Sequence, residues 1–322
     1  MLEITNDQKL VMFKQMVTIR FFEERVKQLY GAGEIVGAIH LYIGEEAIAV
    51  GTCSALREDD YVTSTHRSHG HCIAKVHDLK RSMAEMMGKE TGLSRGRGGS
   101  MHQFDITKGF LGGNGIVGGG IAIALGAAFS AKYRKTDQVS VSFFSEGASN
   151  QGVLYESLNM AALWSLPVIC VCENNKYAAT TPVRKSTCTE DIAPRAAAYR
   201  LAWSIVDGND VLDVYKNVTE AVARARSGKG ATFIECKTYR VEPHCGIIPD
   251  GRDKKEVGFW KNEENDPISR FKKYLLKERV LVQEEVDAVY KEVEHELSEA
   301  VEFARKSLFP KVETVGDYLW AD

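Results

Sequence analysis

The sequence predicts an α/β fold, a mostly parallel sheet with helices on both faces. Three observations predict it. Five short apolar runs rich in β-branched and aromatic residues alternate with helical stretches; from Pro267 onward only helical patterning remains; and no internal repeat, low-complexity tract or linker divides the 322 residues. One domain over 1–322 is expected, with a helical N-terminal region at 1–58 and a helical C-terminal region and tail at 265–322.

Leu10, Phe13, Val17 and Phe21 keep helical spacing behind the cap candidates Thr5 and Asn6, and Gly31 to Gly33 end that helix. A second helix is predicted over 45–56. Strands are predicted at 61–65, 139–144, 167–172, 202–206 and 232–236, with helices near 79–88, 119–133, 150–164 and 210–226. Val286, Val289, Val293, Leu297, Val301 and Leu308 form one apolar stripe, and the chain closes on the aromatic Tyr318 and Trp320. The seven cysteines, without a Cys-x-x-Cys spacing, are expected to be reduced, with Cys170 and Cys172 on opposite faces of their strand.

The charge balance excludes some partners. With 41 basic against 44 acidic residues and no basic block, neither nucleic acid nor an anionic membrane surface is expected. The first residues carry no signal-peptide pattern and no membrane-length apolar stretch follows, so a cytoplasmic location is the default.

Ligands of open parallel sheets sit at the carboxyl ends of the strands, so the loops there carry the chemistry. After the 139–144 strand, Ser145-Glu146-Gly147-Ala148 places a carboxylate before a helix start whose free amides favour phosphate. Anion and carboxylate repel unless a cation lies between them. Mg²⁺, which takes one or two carboxylates plus phosphate oxygens, removes the conflict; the plainer alternative is that Glu146 caps the helix. One helix and one strand later, Glu173-Asn174-Asn175-Lys176-Tyr177 reads either as a turn or as the source of two neutral oxygens, the Asn175 amide and the Tyr177 carbonyl, for the same ion.

Three more places offer chemistry. Arg67 stands among His66, His69 and His71. Three close histidines suggest zinc, but the guanidinium opposes a dication and suits phosphate, so a phosphate contact by Arg67 with help from His66 is expected. Gly113-x-Gly115-x-x-Gly118 matches a dinucleotide fingerprint and supports a rival class, a nicotinamide-binding oxidoreductase, although no apolar strand precedes it. His40, in an apolar stretch, is either a satisfied structural residue or a group that moves protons near pH 7.

Glu146-Gly147 followed by Asn174-Asn175 is similar to the diphosphate-binding signature of thiamine diphosphate enzymes. The segments GAIHLYIGEEAIAVG (37–51), STHRSHGH (64–71), GRGGSMH (96–102), GGNGIVGGG (112–120) and NMAALWSLPVICVCENN (159–175) accompany it in order. The series resembles the α subunit of the thiamine-dependent dehydrogenases that feed a lipoyl acyltransferase, a family that includes pyruvate, branched-chain 2-oxo acid and acetoin dehydrogenases. It looks most like the acetoin members.

The resemblance implies the thiamine diphosphate-binding fold, with thiamine diphosphate and Mg²⁺ as cofactors. Glu146, Asn175 and the Tyr177 carbonyl would hold the metal. Gly147, Ala148, His66, Arg67 and His244 would line the cofactor, the Gly115 carbonyl and Val117 backbone would bond its aminopyrimidine, and His40 and His244 would act at the substrate. The implied activity is cleavage of acetoin, or decarboxylation of a 2-oxo acid, with acyl transfer to the lipoyl group of an acyltransferase. The family takes a catalytic glutamate from a separate β subunit, which implies an α₂β₂ heterotetramer; the 96–120 surface and the aromatic tail are the expected interfaces. Two departures stand out. Ser145-Glu146-Gly147 replaces the usual Gly-Asp-Gly, and Glu242-Pro243-His244 replaces His-Gly-His, which raises a non-catalytic scaffold as a third class.

Overall fold

A computed structural model describes residues 4–246 and 248–317. Five parallel strands form its sheet in the order β1-β2-β3-β7-β6: β1 Tyr61–Thr63, β2 Ser140–Ser145, β3 Val168–Asn174, β6 Ala202–Asp207 and β7 Thr232–Lys237. β4 (Tyr177–Ala178) and β5 (Thr181–Pro182) make a small antiparallel hairpin beside the end of β3. β3 is buried along its whole length, the near-continuous apolar run of a strand covered on both faces.

The helices are α1 Asn6–Gly31, α2 Glu46–Ser54, α3 His69–Val76, α4 Leu79–Met86, α5 Gly119–Tyr133, α6 Gly152–Leu163, α7 Val183–Ser186, α8 Val211–Arg226, α9 Lys254–Lys261, α10 Pro267–Lys277 and α11 Gln283–Lys306. α5 and α6 cover one face over a core that includes Phe144, Cys170, Cys172 and Phe233. α1 to α4, α8, α10 and α11 cover the other, over Val141, Phe143, Ile169, Val171 and Ile234. Cys170 and Cys172 therefore share a face, contrary to expectation: side chains two apart in a strand point the same way. All seven cysteines are free.

The N- and C-terminal helices are welded to this second face. Thr5 caps α1 in a capping box with Gln8, as its position predicts. The Arg20 guanidinium donates to Glu46 (2.6 Å) and to Asp266 (2.7 Å), so α1, α2 and the start of α10 meet at one partly buried charge cluster.

The five strands and the longer helices fall where the pattern predicts. α3 was not predicted because all eight of its residues are buried, which leaves no polar face to create a period, and α9 buries none, which leaves no apolar stripe. α6 starts at Gly152, after a 3₁₀ turn at Ala148–Asn150, slightly later than expected. α11 buries Val286, Val293, Leu297 and Val301, but Leu308 lies beyond its end and is 80% exposed. The aromatic tail lies outside the described residues.

Strand register positions the chemistry. Ser145 pairs with Glu173, Glu173 with Cys236, and Asn174 with Lys237, so Glu146, Asn175 and Thr238 leave the sheet side by side at its carboxyl edge.

Gly70 in α3 tests the packing beneath that edge, because a Cβ there would lie 2.1 Å from the Tyr42 ring whereas one at Gly126 in α5 meets nothing within 4 Å. Urea unfolding should show Gly70→Ala destabilising by about 1–3 kcal/mol and Gly126→Ala stabilising by about 0.5–1 kcal/mol.

Candidate active site

Glu146 follows β2 and is 1% exposed. Its Oε2 accepts the Asn175 N–H (3.3 Å), while Oε1 has no hydrogen-bond partner. Burial pushes its pKa up to about 7. No side-chain cap bond reaches the 3₁₀ turn or α6, so helix capping does not account for the residue. Gly147 lets this loop touch the next one: a Cβ there would lie 2.6 Å from that of Ala178. Ser145 Oγ accepts the Ala148 N–H (3.3 Å), so the serine departure is accommodated locally.

Asn175 sits between carboxylates. Its Nδ2 donates to Glu45 (3.2 and 3.4 Å), and its Oδ1 accepts from the Tyr177 N–H (3.3 Å). The Tyr177 carbonyl accepts from Arg240 (3.1 Å), which also donates to the Ala179 carbonyl (2.8 Å). A buried carboxylate oxygen without a partner, an amide oxygen and the carbonyl of the β4 residue Tyr177, each of the last two with one lone pair left after accepting a single hydrogen bond, are the kind of oxygen donors a hard dication takes. The residues present fit Mg²⁺.

His40, His66 and His244 converge from three loops. Their ring centroids are 4.8, 5.1 and 5.3 Å apart. Burial and then the neighbouring Arg67 charge lower their pKa values to about 3, 2 and 4, so all three are neutral at pH 7. Buried Arg67 donates to the carbonyls of Leu41 (2.5 Å) and His244 (3.0 Å), and so braces the His40 loop against the His244 loop.

The other two histidines of 64–71 belong to the scaffold. His69 joins Glu23 (2.9 Å) to Ser100 Oγ (2.9 Å), and Ser100 Oγ accepts the His40 N–H (3.3 Å). His71 lies between Ser64 (2.7 Å) and Glu173 (2.9 Å), and Glu173 also accepts from the Tyr42 hydroxyl. The trio His66, His69 and His71 therefore makes no zinc site.

Gly115, whose N–H donates to His102 Nε2 (3.3 Å), precedes α5, and Gly118 starts that helix with φ +81°. His66, Asn114, Val117, Gly118, Ser145 and Ala148 line one cleft. A second cavity is lined by Tyr177, Thr180, Arg240, His244 and Arg252. Before Gly113 the backbone makes only isolated bridges at Phe110 and Asp105, so the strand that a dinucleotide fingerprint needs is missing. Sequence reasoning missed Glu45 and Arg240. Glu45 had a signal, as half of an acidic pair opening an otherwise apolar helix; Arg240 stands three residues past the end of β7 and had none.

Residues 14–313 match the family model of the dehydrogenase E1 component. The chain belongs to the dehydrogenase E1 component family. Its relatives include the α subunit of acetoin:2,6-dichlorophenolindophenol oxidoreductase from Bacillus subtilis, 47% identical over 96% of this chain and 92% of that protein. The pyruvate dehydrogenase E1 α subunit of Rhizobium meliloti is 42% identical over 96% and 89%, and the Cupriavidus necator acetoin:2,6-dichlorophenolindophenol oxidoreductase α subunit 40% identical over 96% and 93%. As a member of that family, this E1 chain is a thiamine diphosphate-dependent oxidoreductase component. The nicotinamide-binding rival falls away with that assignment.

The histidine trio gives this E1 chain an acid-labile edge. Unfolded imidazoles titrate near 6.5, above all three folded values, so the unfolded chain binds more protons as pH falls below 6.5; stability is full above that pH and drops toward pH 4. Each group contributes at most about 1.4 kcal/mol per pH unit. Denaturant unfolding from pH 7 to 4.5 should show a shallower decline in a His40→Asn, His66→Asn, His244→Asn chain than in the native one.

Proposed function

We propose that this chain is the α subunit of a thiamine diphosphate- and Mg²⁺-dependent dehydrogenase component that cleaves acetoin and passes the acyl group to the lipoyl group of an acyltransferase. The unpartnered Glu146 oxygen, buried beside the Asn175 amide and the Tyr177 carbonyl, carries this reading. Family membership supports thiamine diphosphate as the cofactor, and the 47% identity to the Bacillus subtilis acetoin protein supports the substrate. Pyruvate is the second reading, favoured by the Rhizobium meliloti relative.

When bound, thiamine diphosphate supplies the electron sink for breaking a carbon–carbon bond beside a carbonyl. The chain's part is anchoring and electrostatics. Glu146, Asn175 and the Tyr177 carbonyl would hold the metal, Gly147 and Ala148 would allow the diphosphate a close backbone approach, His66 in the loop after β1 would line it with Arg67 bracing that loop from behind, and Gly115 and Val117 would bond the aminopyrimidine. His40 and His244, neutral at pH 7, can each donate one hydrogen bond to a substrate oxygen or move one proton.

The chain works as an α₂β₂ assembly with a thiamine-family β subunit. An exposed apolar face supports this: Ile123, Phe129 and Tyr133 on α5 adjoin Leu163 and Trp164 at the end of α6, with the Phe129 ring 5.4 Å from Trp164. Among the described residues no helix is long and apolar enough to cross a membrane.

Calorimetric titration of Mg²⁺ and thiamine diphosphate tests the reading. Glu146→Ala should abolish Mg²⁺-dependent cofactor binding while the far-UV spectrum and cooperative unfolding persist; retained binding contradicts the metal assignment. Phe129→Glu should leave the chain folded and prevent its co-purification with the β subunit, and an assembly that survives the charge rules this face out.

A further inference from the structure

We infer that Glu45 is the positioning residue for Asn175, taking the amide nitrogen so that the amide oxygen is presented to the ion site at the tips of β2 and β3. This rests on the Mg²⁺ reading proposed above.

A primary amide has a donor end and an acceptor end of nearly equal size, and only its surroundings decide which way it points. Asn175 is buried between two carboxylates. Its backbone N–H goes to Glu146 and its Nδ2 to both oxygens of Glu45 (3.2 and 3.4 Å), which leaves Oδ1 on the side of the Tyr177 N–H. With Glu45 ionised, the flipped amide would set Oδ1 against its carboxylate and Nδ2 against the Tyr177 N–H, an acceptor facing acceptors and a donor facing a donor. Glu45, together with the Tyr177 N–H, therefore selects the orientation in which an oxygen is available to a cation.

Glu45 is itself held firmly. It is fully buried, and Gly44 before it has φ +98° and no room for a Cβ, which would lie 2.7 Å from Val241 Cγ2 and 2.9 Å from the Tyr239 carbonyl. Thr238 Oγ1 donates to the Gly44 carbonyl (3.2 Å). The next residue, Glu46, is taken by Arg20 and by the Gly44 N–H (3.1 Å), so the two consecutive acids have separate duties: one fastens α2 to α1, the other faces the strand tips. Partners behind a metal ligand orient it in this way.

The test uses the full chain assembled with its β subunit and thiamine diphosphate, with Mn²⁺ as the probe and its free-ion paramagnetic resonance signal as the readout. Glu45→Met fills the volume without an acceptor, whereas Glu45→Gln keeps an acceptor oxygen and loses the charge. The inference expects about 10–100-fold weaker Mn²⁺ binding in Glu45→Met and a change within about threefold in Glu45→Gln. Glu45→Ala replaces the Met variant if thermal unfolding shows that Met prevents folding. Unchanged affinity in Glu45→Met, or equal loss in the Gln variant, overturns the inference, the second outcome because charge and not orientation would then be responsible. Glu146→Ala separates the two levels: if it retains Mn²⁺ affinity the metal reading fails, and if it loses affinity while Glu45→Met does not, only the role of Glu45 fails.

Discussion

A carboxylate oxygen without a partner, sealed at the tips of two parallel strands, is the constraint on which the site depends. Desolvating a carboxylate costs several kcal/mol after relaxation, and the nearby backbone N–H groups and the Arg240 charge offset this only in part, leaving Glu146 Oε1 without a hydrogen-bond partner. The raised pKa, about 7, is the same cost expressed as proton affinity. A fold selected only for stability would place an apolar residue there. A dication bound there, as proposed, would supply what the protein withholds.

The surrounding charges are graded to keep that demand local. Glu45 and Glu173 are also buried near the edge of the sheet, and burial first, then the Glu173 charge, pushes the Glu45 pKa upward. Their partners are specific: Tyr42 and His71 for Glu173, the Asn175 amide for Glu45. Arg67 and Arg240 bring two guanidinium groups into the same volume, but both are tied to backbone carbonyls, Arg67 to Leu41 and His244, Arg240 to Tyr177 and Ala179. They set the shape of the loops and, after burial, add to what keeps the histidine trio neutral, without pairing directly with Glu146. The scaffold histidines do similar work, since the Glu23–His69–Ser100 chain fixes the backbone of His40.

Most of the sheet was legible because its strands announce themselves locally, as apolar runs bounded by turn residues. The pairing of Glu146 with Asn175 was legible for a related reason: in a parallel sheet, one helix plus one strand of separation puts two loops side by side, and the β2–β3 register does so. What escaped was tertiary. Glu45 lies 130 residues from Asn175, and its contact arises only when α2 packs against α8 and α3. His69 and His71 could not be sorted from His66 by sequence, because their distinction lies in Glu23 and Glu173, brought in from α1 and β3. Tyr177 lies in the β4–β5 hairpin and not in an irregular loop, and the bond its carbonyl accepts from Arg240 spans 63 residues and so leaves no mark on the local pattern.

The most direct measurement is a crystal structure of the assembled chain and β subunit grown with magnesium and thiamine diphosphate. The account predicts one octahedral ion with Glu146 Oε1, Asn175 Oδ1 and the Tyr177 carbonyl at about 2.0–2.1 Å and diphosphate oxygens completing its shell. Glu146 and Asn175 side chains turned apart with no ion between them, in crystals where the coenzyme is bound, would contradict it.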